Sequence, residues 1–309
     1  MKIAVLDLGT NTFNLLIHQI DEESFTLLYK DKIAVKLGEG GINQGIILPA
    51  PFKRGLDAIE QHLNTSSQFG VDKVIAFGTS ALRSAKNGSE FKSAVKQQLN
   101  LEIEIIDGDR EAELIYKGVK KTDLLSESPC LIMDVGGGST EFIIGNKSEI
   151  FWKRSYPIGA ARLLDQFKHQ EPILPSEIKK IQNYLNDQFT DLEEQVKQLG
   201  ITKLIGSSGS FETLADMISF EKTDQSIFDS PFSSLEIDLE YLHQLFPEIL
   251  SKNVADRLAM KGMLPLRVDM MVVVCIFIEL ILKKLKIQEV YLSDYAMKEG
   301  MMDELIAQT

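Results

Sequence analysis

Two short segments of this chain carry residue types suited to binding an anion. Asp7-Leu8-Gly9-Thr10-Asn11-Thr12 and Asp134-Val135-Gly136-Gly137-Gly138-Ser139, the second continued by Thr140, each set an aspartate at the end of an apolar run and follow it with glycine and hydroxyl residues. Glycines let backbone N–H groups approach an anion closely, and the hydroxyls add donors to phosphate oxygens. The aspartate does the opposite. A carboxylate beside phosphate repels it unless a cation bridges the two, so Asp134 implies a divalent metal or a water that the carboxylate orients. Magnesium is the expected ion, and manganese or calcium suits the same oxygen donors. With two cysteines and four histidines in the chain, a dedicated zinc site is not expected.

A single Asp-x-Gly turn also occurs in ordinary hairpins. Two copies in register carry more weight. The numbers 7 and 134 give an offset of 127 residues, and at that offset Leu15-Leu16-Ile17 overlays Phe142-Ile143-Ile144, so strand, turn and returning strand all repeat. The repeat predicts a duplicated domain whose two phosphate turns face each other across a cleft.

The elements that position these turns follow from periodicity. Strands are expected at 2–8, 13–20 and about 24–35, with Gly9, Asn11 and Asp21 in the turns. A helix follows Pro51 with Leu56, Ile59 and Leu63 on one face, then a strand at 72–77, a helix at 90–99 and a strand at 101–106. Another helix runs from Gly108-Asp109 to about 121. The polar, proline-ended stretch 122–129 marks a boundary, giving an α/β domain over 1–123 and a second over 124–309. The second half opens with strand, glycine turn, strand and strand over 129–151. Helices are then expected at 160–167 and 175–199, a strand at 203–206, a helix from about 211, late helices at 253–261 and 265–285, a strand at 289–292 and a last helix at 296–307.

Composition bounds the function. At 309 residues, 44% of them apolar and 25% charged, the chain fits two globular domains. Its net charge of −12 argues against nucleic acid. The same charge repels any polyanion, so a phosphate site must rest on a local basic cluster, backbone N–H groups or a metal. Cys130 and Cys275 lie in apolar runs and fit a reducing compartment. The amino terminus shows no export signal, so a cytoplasmic location is expected. The apolar stretch 270–282 is broken by Glu279 and is shorter than the roughly 20 residues a membrane span needs, so it reads as a buried helix rather than a membrane segment.

The two turns, together with Gly78-Thr79-Ser80-Ala81-Leu82-Arg83, Gly108-Asp109-Arg110-Glu111-Ala112, Pro157-Ile158-Gly159-Ala160, Gly206-Ser207-Ser208-Gly209-Ser210, Arg267 with Asp269, and Ser293-Asp294 with Glu299-Gly300, make the chain similar to the exopolyphosphatase and guanosine pentaphosphatase family. The resemblance implies an α/β fold of two duplicated actin-like (ribonuclease H-like) domains with a cleft between them. It implies hydrolysis of a terminal phosphoanhydride, in inorganic polyphosphate or guanosine pentaphosphate, with Glu111 activating the attacking water. Taken alone, an acid at the start of a helix only complements the helix dipole.

The same resemblance puts phosphate on Gly9, Thr10, Asn11, Thr12, Arg83, Gly136, Gly137, Gly138, Ser139, Thr140 and Arg267. It puts substrate or ribose against the Gly206–Ser210 turn at a helix amino terminus, and metal at Asp134, Glu141 and Asp7. A homodimer is a family-level expectation. Arg110 stands where members often carry a second acid, and Asp294-Tyr295-Ala296-Met297-Lys298 replaces the usual glycine, leucine and arginine, with bulky Tyr295 expected beside the cleft. Two other functions fit the same site: a nucleotide or alarmone sensor that binds without turnover, and an acceptor-dependent kinase.

Overall fold

The computed structural model of the protein describes residues 1–20 and 25–307. Asp21 and Ser24, in the turn and at the expected start of the third strand, lie outside the described residues. The first half runs β1 (Lys2–Leu8), β2 (Thr12–Ile20), β3 (Phe25–Ala34), α1 (Pro49–Gln68), β4 (Lys73–Gly78), α2 (Ser80–Ser84), α3 (Gly88–Leu99), β5 (Ile103–Ile105) and α4 (Gly108–Val119). The second runs β6 (Cys130–Val135), β7 (Thr140–Gly145), β8 (Ile150–Tyr156), α5 (Ala160–Gln166), α6 (Pro175–Asn186), α7 (Thr190–Leu199), β9 (Lys203–Ser207) and α8 (Ser208–Thr223). It ends with β10 (Ser234–Ile237), α9 (Leu239–Leu250), α10 (Val254–Leu258), α11 (Met271–Leu285), β11 (Glu289–Ser293) and α12 (Met297–Ala307).

Both sheets have one plan. The first is ordered β3-β2-β1-β4-β5 and the second β8-β7-β6-β9-β11-β10. In each, an antiparallel hairpin is followed by a strand added parallel to its first member: β1 pairs β2 antiparallel and β4 parallel, as β6 pairs β7 and β9. Strand order 3-2-1-4-5 twice over bears out the duplicated domain that the repeat predicts and the actin-like α/β fold that the resemblance implies.

β1 and β6 are continuous apolar runs because both of their faces are covered. Along β1, Ala4, Leu6 and Leu8 enter a core with α1 and α3, while Ile3 and Val5 turn to the opposite core. That opposite core is shared by the two halves: Ile132, Ile143 and Ile205 of the second sheet meet Ile3, Val5 and Phe77 of the first around α4 and α12. α12, from the end of the chain, packs along α4. The approach is close enough that a Cβ on Gly118 would lie 1.9 Å from the Ala296 carbonyl oxygen, and one on Gly300 1.9 Å from that of Leu114. Glu304 accepts from Arg110 and Lys117 across this contact, and Lys121 pairs with Asp303.

Several expected boundaries shift for local reasons. The single helix expected over 175–199 is two, because Phe189 leaves the helical path to pack against Phe142, Tyr156 and Phe277. α11 begins at Met271, six residues after Pro265, the intervening chain being turns, and it is buried along nearly its whole length as a hydrophobic helix must be. β10 was hidden in the polar stretch before α9, and pairs antiparallel with β11 at the sheet edge. Among the described residues no helix is long and apolar enough to cross a membrane.

Candidate active site

The two hairpins bring their turns to one place. Register sets Asp7 opposite Asn14 in β1–β2, and Asp134 opposite Glu141 in β6–β7. The first turn is closed by the Gly9 N–H donating to the Thr12 carbonyl at 3.1 Å. The second is pressed onto the first. A Cβ on Gly138 would lie 2.7 Å from both Thr10 Oγ1 and Ser80 Oγ, and one on Gly137 3.0 Å from Thr10 Cβ. These glycines are dictated by contact between the halves rather than by a left-handed backbone. Between the turns lies a cleft lined by Asp7, Gly9, Thr10, Asn11 and Thr12 from one half and by Asp134 and Gly136 to Ser139 from the other.

Glu111 enters this cleft from the first turn of α4. The helix starts there because the Asp107 carboxylate caps it, accepting the Arg110 N–H at 2.7 Å. Arg83 Nη1 donates to Glu111 Oε2 at 2.9 Å and to the Ile106 carbonyl, also at 2.9 Å, so the carboxylate is held from one side and open to the cleft on the other. Burial pushes its pKa up to about 7 against the pull of Arg83, and the charges of Asp134 and Asp7 push the same way. Burial likewise raises Asp7 to about 6, although Lys298 and the Asn14 amide, which donates at 2.9 Å, favour its ionised form.

Asp134 takes a hydroxyl on each oxygen, Ser207 at 2.7 Å and Ser208 at 2.8 Å, yet burial still holds it above the ordinary range. Glu141 is 1% exposed, accepts from Ser155 Oγ at 2.7 Å, and is held well above its usual value by burial and by the charges of Glu111 and Asp134. Crowded carboxylates that raise one another's pKa values mark a site short of positive charge.

Cations and unsatisfied donors complete the lining. Lys32, Arg267 and Lys298 reach the cleft, with Glu212 and Asp294 among them. Lys32 is 3.8 Å from Glu212. Burial would raise Glu212, but Lys32, Lys298 and Arg267 outweigh it and hold the carboxylate below its usual range. Thr10 Oγ1 and Asn11 Nδ2 are buried without a hydrogen-bond partner. Such groups are costly unless a ligand supplies the acceptor.

Among the described residues no three His, Cys, Asp or Glu side chains form a ready-made metal cage. The donor set nevertheless suits a hard cation. Magnesium is commonly held by one or two carboxylates plus waters and substrate phosphates, and Asp134 with its register partner Glu141 offers such a pair beside the turns.

Other expected site residues fall elsewhere. Arg83 lines a separate opening with Arg162, Asp107 and Ser155 rather than the main cleft. Thr140 is fully buried and its hydroxyl donates to the Ile158 carbonyl. Within the 206–210 turn, Ser208 and Gly209 line the cleft; Gly206 lies against the Phe211 ring, Ser207 reaches Asp134, and Ser210 Oγ is buried unpartnered. Arg267 lies over Gly209, where a Cβ would sit 1.9 Å from its Nη2. Tyr295 does not line the cleft; its neighbours Asp294, Ala296, Met297 and Lys298 do. Arg110 is committed to Glu304 on α12. Reasoning from sequence missed Asn14, Lys32, Ser80, Glu212 and Lys298. Asn14 had a signal, since the 127-residue offset makes it the counterpart of Glu141, and Ser80 and Lys298 fall within segments compared with the family.

The model of the Ppx/GppA phosphatase family matches residues 16–309. The crystal structure of an exopolyphosphatase from Cytophaga hutchinsonii is 37% identical and superposes with a TM-score of 0.94, covering 100% of this chain and 99% of that one. A Haemophilus influenzae relative is 28% identical over 304 residues, 98% of this chain and 91% of its own length. The guanosine-5′-triphosphate,3′-diphosphate pyrophosphatase of Photobacterium profundum is 26% identical over 305 residues, and the match covers 98% of this chain but 59% of that protein.

Proposed function

The chain belongs to the Ppx/GppA phosphatase family, and from that premise we propose that its cleft hydrolyses a terminal phosphoanhydride bond, in inorganic polyphosphate or in guanosine pentaphosphate. The names of the relatives support this substrate class. The observation that carries the reading is Glu111: a carboxylate with pKa about 7, braced by Arg83 and open to a cleft walled by two phosphate turns.

A general base works best when its pKa lies near the working pH, and Glu111 meets that condition. In this reading its carboxylate accepts the proton of a water aimed at the terminal phosphorus. The bond from phosphorus to the bridging oxygen breaks, and that oxygen leaves with the shortened chain. The turns hold the terminal phosphate through backbone N–H groups of Gly136 to Ser139 and through Thr10 and Asn11, whose unpartnered donors await an acceptor. Ser207 and Ser208 hold Asp134 in place, and Ser155 holds Glu141. Magnesium on Asp134 and Glu141, when bound, would supply positive charge for the phosphoryl oxygens.

The test is phosphate release from polyphosphate and guanosine pentaphosphate side by side, with and without Mg²⁺. Glu111→Gln is expected to cut turnover about 10²–10⁴-fold while retaining substrate binding. Unchanged turnover in that variant would remove Glu111 from the mechanism. Tight binding by the native chain with no release from either substrate would instead mark a sensor.

A further inference from the structure

Three cationic side chains line the cleft: Lys32, Arg267 and Lys298. Two have a visible resting place. Lys32 faces Glu212 at 3.8 Å, and the Arg267 guanidinium lies against the bare α-carbon of Gly209. Lys298 differs. Among the described residues its ammonium has no hydrogen bond and no carboxylate within ion-pair distance, only longer-range attraction to Glu299, Glu212, Asp7 and Asp294.

The root of this side chain is fixed. The Glu299 carboxylate accepts the Ala296 N–H at 2.8 Å, and Ser293 Oγ donates to the Tyr295 carbonyl at 2.6 Å, which sets the entry to α12. The paired close contacts of Gly118 and Gly300 then seat the first turns of α12 on α4, the helix that carries Glu111. The base and the lysine therefore stand on two helices locked together. A long side chain with a fixed root and an uncommitted head loses little elsewhere when it takes a ligand.

Around the first turn the cleft presents donors that no acceptor meets. Thr10 Oγ1 and Asn11 Nδ2 have no partner, and Lys298 adds three more N–H donors. Direction follows from the neighbours. Arg83 holds Glu111 on one side, whereas α12 starts just after Ser293, the register partner of Ser207 at the head of α8, where Arg267 lies against Gly209 and Lys32 faces Glu212. Glu111 therefore has Arg83 beside it, and Lys298 enters the cleft from the side where Lys32 and Arg267 sit.

We propose that Lys298 is a substrate-binding residue whose ammonium takes the non-bridging oxygens of the phosphates on the leaving side of the scissile bond. This rests on the reading that the cleft accepts a phosphoanhydride chain. The terminal phosphorus lies near Glu111, and the remaining phosphates extend toward Lys298 on the side of Lys32 and Arg267, where added positive charge favours departure of the shortened anion. Burial would pull the lysine's pKa down, but the carboxylates around it outweigh burial and keep it charged.

The experiment compares a probe that has phosphates on the leaving side with one that has none. Inorganic tripolyphosphate and orthophosphate are titrated, with Mg²⁺, into the full-length native chain and its Lys298→Met and Lys298→Arg variants, and tripolyphosphate turnover is measured in parallel. Removing one charge-assisted hydrogen bond predicts a Kd and KM for tripolyphosphate raised about tenfold or more in Lys298→Met, orthophosphate binding within about twofold of native, and recovery in Lys298→Arg. Unchanged tripolyphosphate binding overturns the proposal. So does equal weakening of both probes with a lowered Tm, the mark of a purely structural lysine. If the native chain binds tripolyphosphate without releasing phosphate, the hydrolase reading fails while the comparison of binding still decides the role of Lys298.

Discussion

The two phosphate hairpins occupy equivalent positions in equivalent sheets, yet their chemistry has diverged at a single register position. Asp7 faces Asn14 across β1–β2, while Asp134 faces Glu141 across β6–β7. In the first hairpin the amide donates to the aspartate and the pair is satisfied internally at 2.9 Å. In the second, two acids face each other and hydroxyls hold them: Ser207 and Ser208 on Asp134, and Ser155 with the turn's own Ser139 on Glu141. The adjoining parallel strands differ in step, with Phe77 beside Asp7 but Ser207 beside Asp134. The turns divide labour the other way. The first offers side-chain donors at Thr10 and Asn11, and the second offers three glycines whose bareness lets it lie against the first. One hairpin presents unpartnered side-chain donors, and the other concentrates carboxylates.

The sharpest way to break this comparison is to make the second hairpin resemble the first. Glu141→Gln keeps an acceptor for Ser155 and turns the acidic pair into an acid–amide pair like Asp7–Asn14. If the pair holds a catalytic cation, activity with Mg²⁺ is expected to fall about 10²–10³-fold, with a weaker apparent affinity for Mg²⁺. Steady-state turnover against Mg²⁺ concentration checks this. Full activity in the variant would mean that the divergence has no catalytic purpose.

The same substitution should have the opposite effect on folding. Glu141 has a folded pKa raised above its unfolded value by burial and by Glu111 and Asp134. The stability associated with such a group is fully present below the unfolded pKa and is lost as pH rises through the folded one. Without Mg²⁺, Glu141→Gln is therefore expected to be more stable than the native chain at pH 8, by about 1–2 kcal/mol, and to lose that advantage as pH falls toward 4. Thermal unfolding of both proteins over this range, with chelator present, gives the comparison. An advantage that grows on acidification has the wrong sign and would mean that Glu141 is stabilised as an anion. Adding Mg²⁺ should shrink the difference at pH 8 by raising the native Tm.

Much of this site was legible in the sequence because duplication exposes itself: an apolar strand, a glycine turn and a returning strand recur at one offset, and Asp7 and Asp134 fall in register. Glu111 was legible only through the family resemblance of the Gly108–Ala112 segment; the structure adds that Asp107 as cap and Ala112, Ile115 and Tyr116 as the buried face fix both the start and the rotation of α4. Lys32 and Glu212 were not legible. They reach the cleft from an edge strand and the second turn of a helix, and a lone lysine or glutamate in such elements has no pattern to separate it from a solvated surface. Arg83 shows the reverse case. Its proximity to the site was legible, but its hydrogen bonds to Glu111 and the Ile106 carbonyl depend on how α2 and α4 meet, which periodicity does not specify.

The smallest expected effect tests the first hairpin on its own terms. Thr10→Val keeps the shape that meets Gly137 and Gly138 and removes only the hydroxyl, which has no partner in the protein. A buried hydroxyl with no acceptor is a cost to the folded state, so its loss should leave the Tm unchanged or raise it slightly. Substrate should feel the opposite. If Thr10 Oγ1 donates to a phosphate oxygen, the variant's KM rises by about tenfold with little change in Mg²⁺ dependence, since the acidic pair proposed to hold the metal is in the other hairpin. A drop in Mg²⁺ affinity in Thr10→Val as large as that in Glu141→Gln would erase the division of labour, because both turns would then be acting on the same ion. A raised KM with unaltered Mg²⁺ response and undiminished stability would instead show that the unpartnered hydroxyl is kept at the expense of the fold, for a ligand.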